Sequence, residues 1–162
     1  MSKNTDKTNV MRILDQKKIP YRFHAYDNTK RNAADVARTL GQNPGSLFKT
    51  LVTVSRSREN YVFMVPSEKE LDLKKAAKAA GEKSLEMIPQ KELLPLTGYV
   101  HGGCSPIGMK KPFKTFIDRT AENFDTICFS GGKVGYQVEM SLPDLQKAMN
   151  VSPADLVKDM QE

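Results

Sequence analysis

The chain has 162 residues, 39% of them apolar and 27% charged, with 25 Lys and Arg against 19 Asp and Glu and a formal net charge of +6. This length suits one domain over residues 1–162, able to bury about 70% of the surface its unfolded form exposes, and no apolar run approaches membrane-spanning length. Two cysteines, Cys104 and Cys128, without CxxC spacing argue against a structural zinc site and suit reduced thiols. The lack of tryptophan, with only seven Phe and five Tyr, argues against a stacking platform for bare bases.

Residues 5–18 place Val10, Ile13 and Leu14 at helical spacing and end on Lys17-Lys18, where cations suit the helix dipole; Pro20 stops the pattern. Tyr21 to Tyr26 alternates as a strand, with Tyr21, Phe23 and Ala25 on one face and His24 and Tyr26 on the other. Asn32 is placed to cap a helix from Ala33 to Leu40, with Asp35 in its first turn and Gly41 as its stop. Ser46 to Val54 and Tyr61 to Val65 read as two strands across a polar turn, Ser55 to Asn60. Asp72 caps a helix from Leu73 to Ala80, ended by Gly81, whose lysines at 74, 75 and 78 form a solvated face. A short strand over Ser84 to Met87 and a helical turn from Pro89 through Leu94 follow. Tyr99-Val100 reads as a short strand, and Phe113 to Asp118, Asp125 to Phe129 and Tyr136 to Met140 as longer ones. Two capped helices are predicted to close the chain, one after Ser141 and one after Ser152 with Pro153 at its first position. Intermixed helices and hairpins favour α+β over a doubly wound sheet.

Two stretches and one side chain stand out. Thr97 to Gly108 holds four of the ten glycines, and Ser130-Gly131-Gly132-Lys133-Val134-Gly135 is a second glycine turn. Such loops either turn tightly between strands or bring main-chain N–H groups close to a ligand. Lys49 sits at the start of an apolar strand beside Phe48, so its ammonium either snorkels to solvent or points into a cleft.

Familiar catalytic patterns fail. Gly103 to Gly108 followed by Met109-Lys110 departs from a phosphate-binding loop, because the lysine arrives one residue late with no Ser or Thr after it. Cys104 near His101 would be a nucleophile activated by loop amides, but no third group is evident to orient the pair. Ser105 and Ser130 lie outside a G-x-S-x-G elbow, and no acid–base carboxylate pair is evident. Composition and spacing alone define a binding cleft with glycine loops, a basic surface and an unusual lysine.

Three ordered motifs carry a resemblance. Phe48-Lys49-Thr50-Leu51, then Thr97-Gly98-Tyr99 with Gly102-Gly103 and Ser105-Pro106-Ile107-Gly108, then Ser130-Gly131-Gly132-Lys133 are similar to those of the YbaK/EbsC family. These are bacterial Cys-tRNA(Pro) deacylases related to the editing insertion domain of prolyl-tRNA synthetases. The likeness spans about Val10 to Val157, and Lys18-Ile19-Pro20 before His24-Ala25-Tyr26 fits it too. It implies a mixed, partly open barrel-like sheet flanked by helices in one domain. The implied activity is trans-editing, hydrolysis of the ester joining a wrong amino acid to the 3′ end of tRNA. It implies tRNA(Pro) and tRNA(Cys) as partners, with prolyl-tRNA synthetase as a further one, a cytoplasmic location, and neither metal nor cofactor.

The same likeness assigns roles. Lys49 would hold the terminal nucleotide or offset charge at the ester carbonyl. Gly102 and Gly103 would offer backbone N–H groups to the aminoacyl part, and the hydroxyls of Tyr26 and Ser130 would orient the substrate. In the cysteine-editing branch the thiol of the mischarged cysteine attacks its own carbonyl, so the enzyme supplies geometry rather than a nucleophile. Gln137 departs from the aspartate frequent there, and Val134 replaces a residue often basic in relatives. Cysteine is the first substrate expected, alanine the second, and a non-catalytic tRNA- or synthetase-binding module the competing class.

Overall fold

The computed structural model of the protein describes residues 7–26, 37 and 40–159. Thr8 sets the first helix. Its hydroxyl accepts the Met11 N–H at 3.3 Å, and α1 (Asn9–Gln16) buries Val10, Met11 and Leu14. This helix is shorter than the predicted 5–18, because Lys17 closes it and Lys18 turns the chain away at φ 58°. Strand β1 (Arg22–Ala25) follows. The helix predicted from Asn32 over Ala33 to Leu40 lies mostly outside the described residues, which are helical at Ala37 and Leu40.

A short 3₁₀ turn, Pro44–Ser46, replaces the predicted start of the next strand at Ser46, since Pro44 cannot join a ladder and Asn43 accepts the Gly45 N–H at 2.9 Å. Strands β2 (Phe48–Ser55) and β3 (Asn60–Pro66) then form the predicted antiparallel hairpin. Helix α2 (Leu73–Ala80) is capped by Asp72, which accepts the N–H groups of Lys74 and Lys75, and ends on Gly81 at φ 75°. The short β4 (Leu85–Met87) pairs back onto β2, and α3 (Leu93–Thr97) leads to Gly98. Strands β5 (Lys114–Asp118), β6 (Ile127–Ser130) and β7 (Tyr136–Met140) come next, then α4 (Leu142–Ala148), capped by Ser141.

Two sequence-based expectations are overturned. The chain after Ser152 is not helix but strand β8 (Val151–Ala154), parallel to β5 with Pro153 opposite Ile117. Pro153 signals a helix start by local preference, yet an edge strand also tolerates it, and β8 is an edge. Tyr99-Val100 is irregular loop rather than strand, with Tyr99 anchored by its hydroxyl to the Ile107 carbonyl.

The strands make a three-stranded sheet, β1-β7-β6, and a five-stranded sheet, β4-β2-β3-β5-β8. Among the described residues neither is closed, and a single parallel bridge, Leu47 to Cys128, joins them. Their inner faces share one core: Phe48, Met64 and Ile117 meet Phe129, Val138 and Met140, with Val10 and Leu14 of α1 and Leu145 of α4. A second core on the other face of the five-stranded sheet packs Phe63 and Val65 against Ala76 and Ala77 of α2 and against Leu156. The result is the mixed, partly open barrel-like sheet flanked by helices. No helix among the described residues is long and apolar enough to cross a membrane.

Asp118 ties the C-terminal segment to this frame. It is fully buried, and its two oxygens accept the Leu156 N–H at 3.0 Å and the Thr120 hydroxyl at 2.7 Å. Asp118→Ala strands both donors, so it should cost about 3 kcal/mol in a urea melt, whereas Asp118→Asn, which keeps an acceptor, should cost less.

Candidate active site

Strand register decides which residues share a surface. In β1 and β7, His24 is opposite Gln137; in β7 and β6, Gln137 is opposite Ser130. The isolated bridge between Leu47 and Cys128 is parallel, so β2 and β6 leave it in the same direction, with Lys49 and Ser130 each two residues beyond it. Directly paired residues project to the same side of a sheet. His24, Gln137 and Ser130 therefore form one polar row across three strands, spanning roughly 10 Å at about 4.8 Å per strand, and Lys49 lies on the neighbouring sheet just beyond the bridge. The alternating neighbours Phe48, Phe129 and Val138 turn the other way, into the shared core. Tyr26 continues β1 past the row, with its N–H donated to the Gly135 carbonyl at 2.9 Å.

Lys49 is half-buried and shares its face of the sheet with Leu51 and Val65, which belong to the second core. Burial pushes its ammonium below the ordinary lysine pKa, and the Glu70 carboxylate partly opposes that shift. The two sequence alternatives for this lysine thus resolve into a cation held against apolar packing rather than one free in water. Ser130 accepts the Gly132 N–H at 3.1 Å through its hydroxyl oxygen, which leaves its own proton to donate.

Two features of the row were not legible in the sequence. His24 Nε2 pairs with Glu139 Oε1 at 2.8 Å, and Thr126 donates its hydroxyl to the other oxygen. Thr126 most strongly, then His24, holds the Glu139 carboxyl below the usual carboxylate range against the opposing effect of burial. Gln42, from the segment before β2, donates Nε2 to Gln137 Oε1 at 2.8 Å. Alternation along β1 and β7 shows that His24 and Glu139 each belong to a face, but only their pairing shows it is the same one. Nothing in the spacing of Gln42 and Gln137 could have found theirs.

The glycine loops flank the row. Loop 131–135 leaves directly from Ser130, and loop 98–108 packs onto it: a Cβ at Gly103 would lie 3.0 Å from the Val134 nitrogen. Gly103 donates its N–H to the Val100 carbonyl at 3.0 Å, so that group is already used inside the turn. What Gly103 contributes is close approach. Gly102 is exposed at φ 88°, a conformation that favours glycine.

Neither cysteine is built as a nucleophile. Burial pushes Cys104 up to about 12, and it pushes Cys128 up to about 12 as well, so both remain neutral thiols near neutral pH. Ser105 is fully buried, its hydroxyl accepting the Ile107 N–H at 3.3 Å, and His101 is exposed.

A partly buried polar row with a half-buried lysine on the adjoining sheet, framed by interlocked glycine loops, is a candidate site for a polar ligand approached by main chain. Residues 27–148 match the aminoacyl-tRNA editing domain, and the chain belongs to that family. It is 45% identical over 141 residues to the candidate Cys-tRNA(Pro)/Cys-tRNA(Cys) deacylase EbsC of Enterococcus faecalis, covering 86% of each chain. It is 26% identical over 102 residues to the proline–tRNA ligase of Burkholderia vietnamiensis, matching 59% of this chain and 18% of the ligase. Among solved structures it is similar to a candidate trans-editing enzyme for prolyl-tRNA synthetase, with a TM-score of 0.82, 23% identity and coverage of 95% of this chain and all of the other, a likeness of fold.

Gly103→Ala drives a methyl into the Lys133–Val134 backbone, so one loop must move. The expected cost is about 1–3 kcal/mol in thermal or urea unfolding, since neither neighbouring atom belongs to a flexible side chain. Cys104→Ser and Cys128→Ser should leave any turnover within about twofold, read from initial rates, because thiols titrating this high supply no thiolate.

Proposed function

We propose that this protein is an aminoacyl-tRNA deacylase that acts in trans, hydrolysing the ester of cysteine mischarged on tRNA(Pro), and of Cys-tRNA(Cys). The observation that supports the reading is the Leu47–Cys128 bridge, which brings the strand of Lys49 to the strand of Ser130, from which the second glycine loop leaves and onto which the first one packs. The relative of 45% identity bears the matching name, and Lys49, Gly102, Gly103, Ser130 and Gln137 lie within the matched family span.

In this reading the 3′-terminal nucleotide and its ester lie along the polar row. Lys49 is the catalytic residue. Its half-buried charge offsets the negative charge that grows on the carbonyl oxygen as the tetrahedral intermediate forms, and a partly desolvated cation is worth more there than one in water. The Ser130 hydroxyl donates to the substrate, Tyr26 orients it, and Gly102 lets it come close to the main chain. For a cysteinyl ester the thiol gives up its proton as the sulfur bonds to its own carbonyl carbon, the bond to the tRNA 3′-oxygen breaks as that oxygen takes up a proton, and water then opens the cyclic thioester to free cysteine. Such a step needs the cargo held in a reactive conformation more than it needs an enzyme nucleophile, which fits the buried, neutral thiols of Cys104 and Cys128.

The whole chain, residues 1–162, would serve as one editing domain. A net charge of +6 suits a polyanionic partner, so tRNA affinity should fall with salt. A domain this small covers little of a tRNA, which makes a complex with prolyl-tRNA synthetase a natural way to gain selectivity. Protein synthesis places such an activity in the cytoplasm. The neutral amide of Gln137 favours one second reading, in which the edited residue is alanine.

A deacylation panel of Cys-, Ala-, Ser- and Pro-charged tRNA(Pro) tests this. Cysteine ester loss well above the buffer rate is expected, and no acceleration on any of the four rejects the reading. Lys49→Ala should lower turnover at least about 100-fold while the protein stays folded by circular dichroism. Because burial lowers the Lys49 pKa, its charge is lost at lower pH than that of an exposed lysine. The wild-type rate should therefore decline on the alkaline side earlier than an ordinary lysine would dictate. In Lys49→Arg, whose guanidinium stays charged, the residual activity should lack that decline.

A further inference from the structure

We propose that Gln42 is a specificity-determining residue whose carbonyl oxygen accepts a hydrogen bond from the α-amino group of the bound aminoacyl ester. The proposal rests on the deacylase reading above. Gln42 Oε1 is buried and has no hydrogen-bond partner among the described residues. Leaving such an acceptor unpaired opposes folding, and folded proteins keep few of them. Gln42 is not a stray surface amide. Its Nε2 donates to Gln137 Oε1 at 2.8 Å, and Gln137, only 3% exposed, stands in the polar row between His24 and Ser130.

That hydrogen bond fixes which end of Gln42 is spent and which is left over. The amide nitrogen is used on Gln137, so the unused atom is an acceptor and calls for a donor. Every α-aminoacyl ester carries one, the amine, attached to the same carbon as the reacting carbonyl. Groups that recognise amine and carbonyl must then lie about one strand spacing apart. Gln137, which holds Gln42 in place, is paired directly with Ser130, the hydroxyl assigned to the substrate, one strand spacing away. Turning both amides over would leave a nitrogen unpartnered instead, and a glutamate at position 42 distinguishes the two settings.

The experiment compares full-length wild type, Gln42→Met and Gln42→Glu on tRNA(Pro) esters with and without the amine: cysteinyl against 3-mercaptopropionyl, and alanyl against propionyl. Wild type should favour the amine-bearing ester by about tenfold in kcat/KM, Gln42→Met should lose most of that preference through KM, and Gln42→Glu should keep it. Gln42→Met also removes the donor to Gln137, so some loss in thermal unfolding is expected under either reading; the preference decides, because a purely structural role predicts lost stability with the preference intact. If Gln42→Met keeps the preference, or Gln42→Glu loses it as fully, the proposal is wrong while the deacylase reading stands. If wild type hydrolyses none of the four esters, the deacylase reading fails and the assignment of Gln42 falls with it.

Discussion

The site depends on one junction, the parallel contact of Leu47 with Cys128 where the two sheets meet. Both residues are buried, and the side chains that alternate with them, Phe48 and Phe129, enter the shared core. Strand side chains alternate with a period of two, so the burial of these aromatics compels Lys49 and Ser130 to the opposite face. A slip of one residue in β2 would bury an ammonium among Met64 and Ile117 and turn Phe48 outward, which the desolvation cost of a charge forbids. The register of the core is thus also the register of the site.

Around this junction the polar groups are drawn out of water by degrees. Gln137 is nearly inaccessible and bonded to Gln42; Glu139 is shared by Thr126 and His24; Lys49 keeps its charge at the margin of the second core. Each arrangement is less favourable for folding than an apolar substitute would be, and two apolar cores on either side of the five-stranded sheet offset it. A pocket that must act on an ester gains from groups already held in place and partly desolvated, since they need not be reorganised when charge develops. The interlocked loops at Gly103 and Val134 serve the same end through main-chain packing, where a side chain at position 103 would hold them apart.

Local patterns carried most of the architecture. Caps at Asp72 and Ser141, the hairpin of β2 and β3, and the strand Tyr136–Met140 follow from residue preferences that act over a few positions. The motifs around Lys49, Gly102-Gly103 and Ser130 were visible for the same reason, as short runs of unusual residues. Where the reading failed, two local preferences competed. Ser152-Pro153 satisfies a helix start and an edge strand equally well, and the partner strand β5 settled the matter. Tyr99-Val100 has the composition of a strand but no strand beside it, because the flanking glycines and the hydroxyl of Tyr99 commit it to a loop.

The sequence by itself determined the elements, the single domain and the family likeness, and through that likeness the candidate lysine and glycines. Tertiary structure decided the pairings: Leu47 with Cys128, His24 with Glu139, Gln42 with Gln137, and both cysteines as buried thiols. The physical reason is range. Helix and strand preferences, caps and turns are set by neighbours a few residues apart. Partners 81, 115 and 95 positions away along the chain, Leu47 and Cys128 being the first pair, meet only when register and core packing bring their segments together.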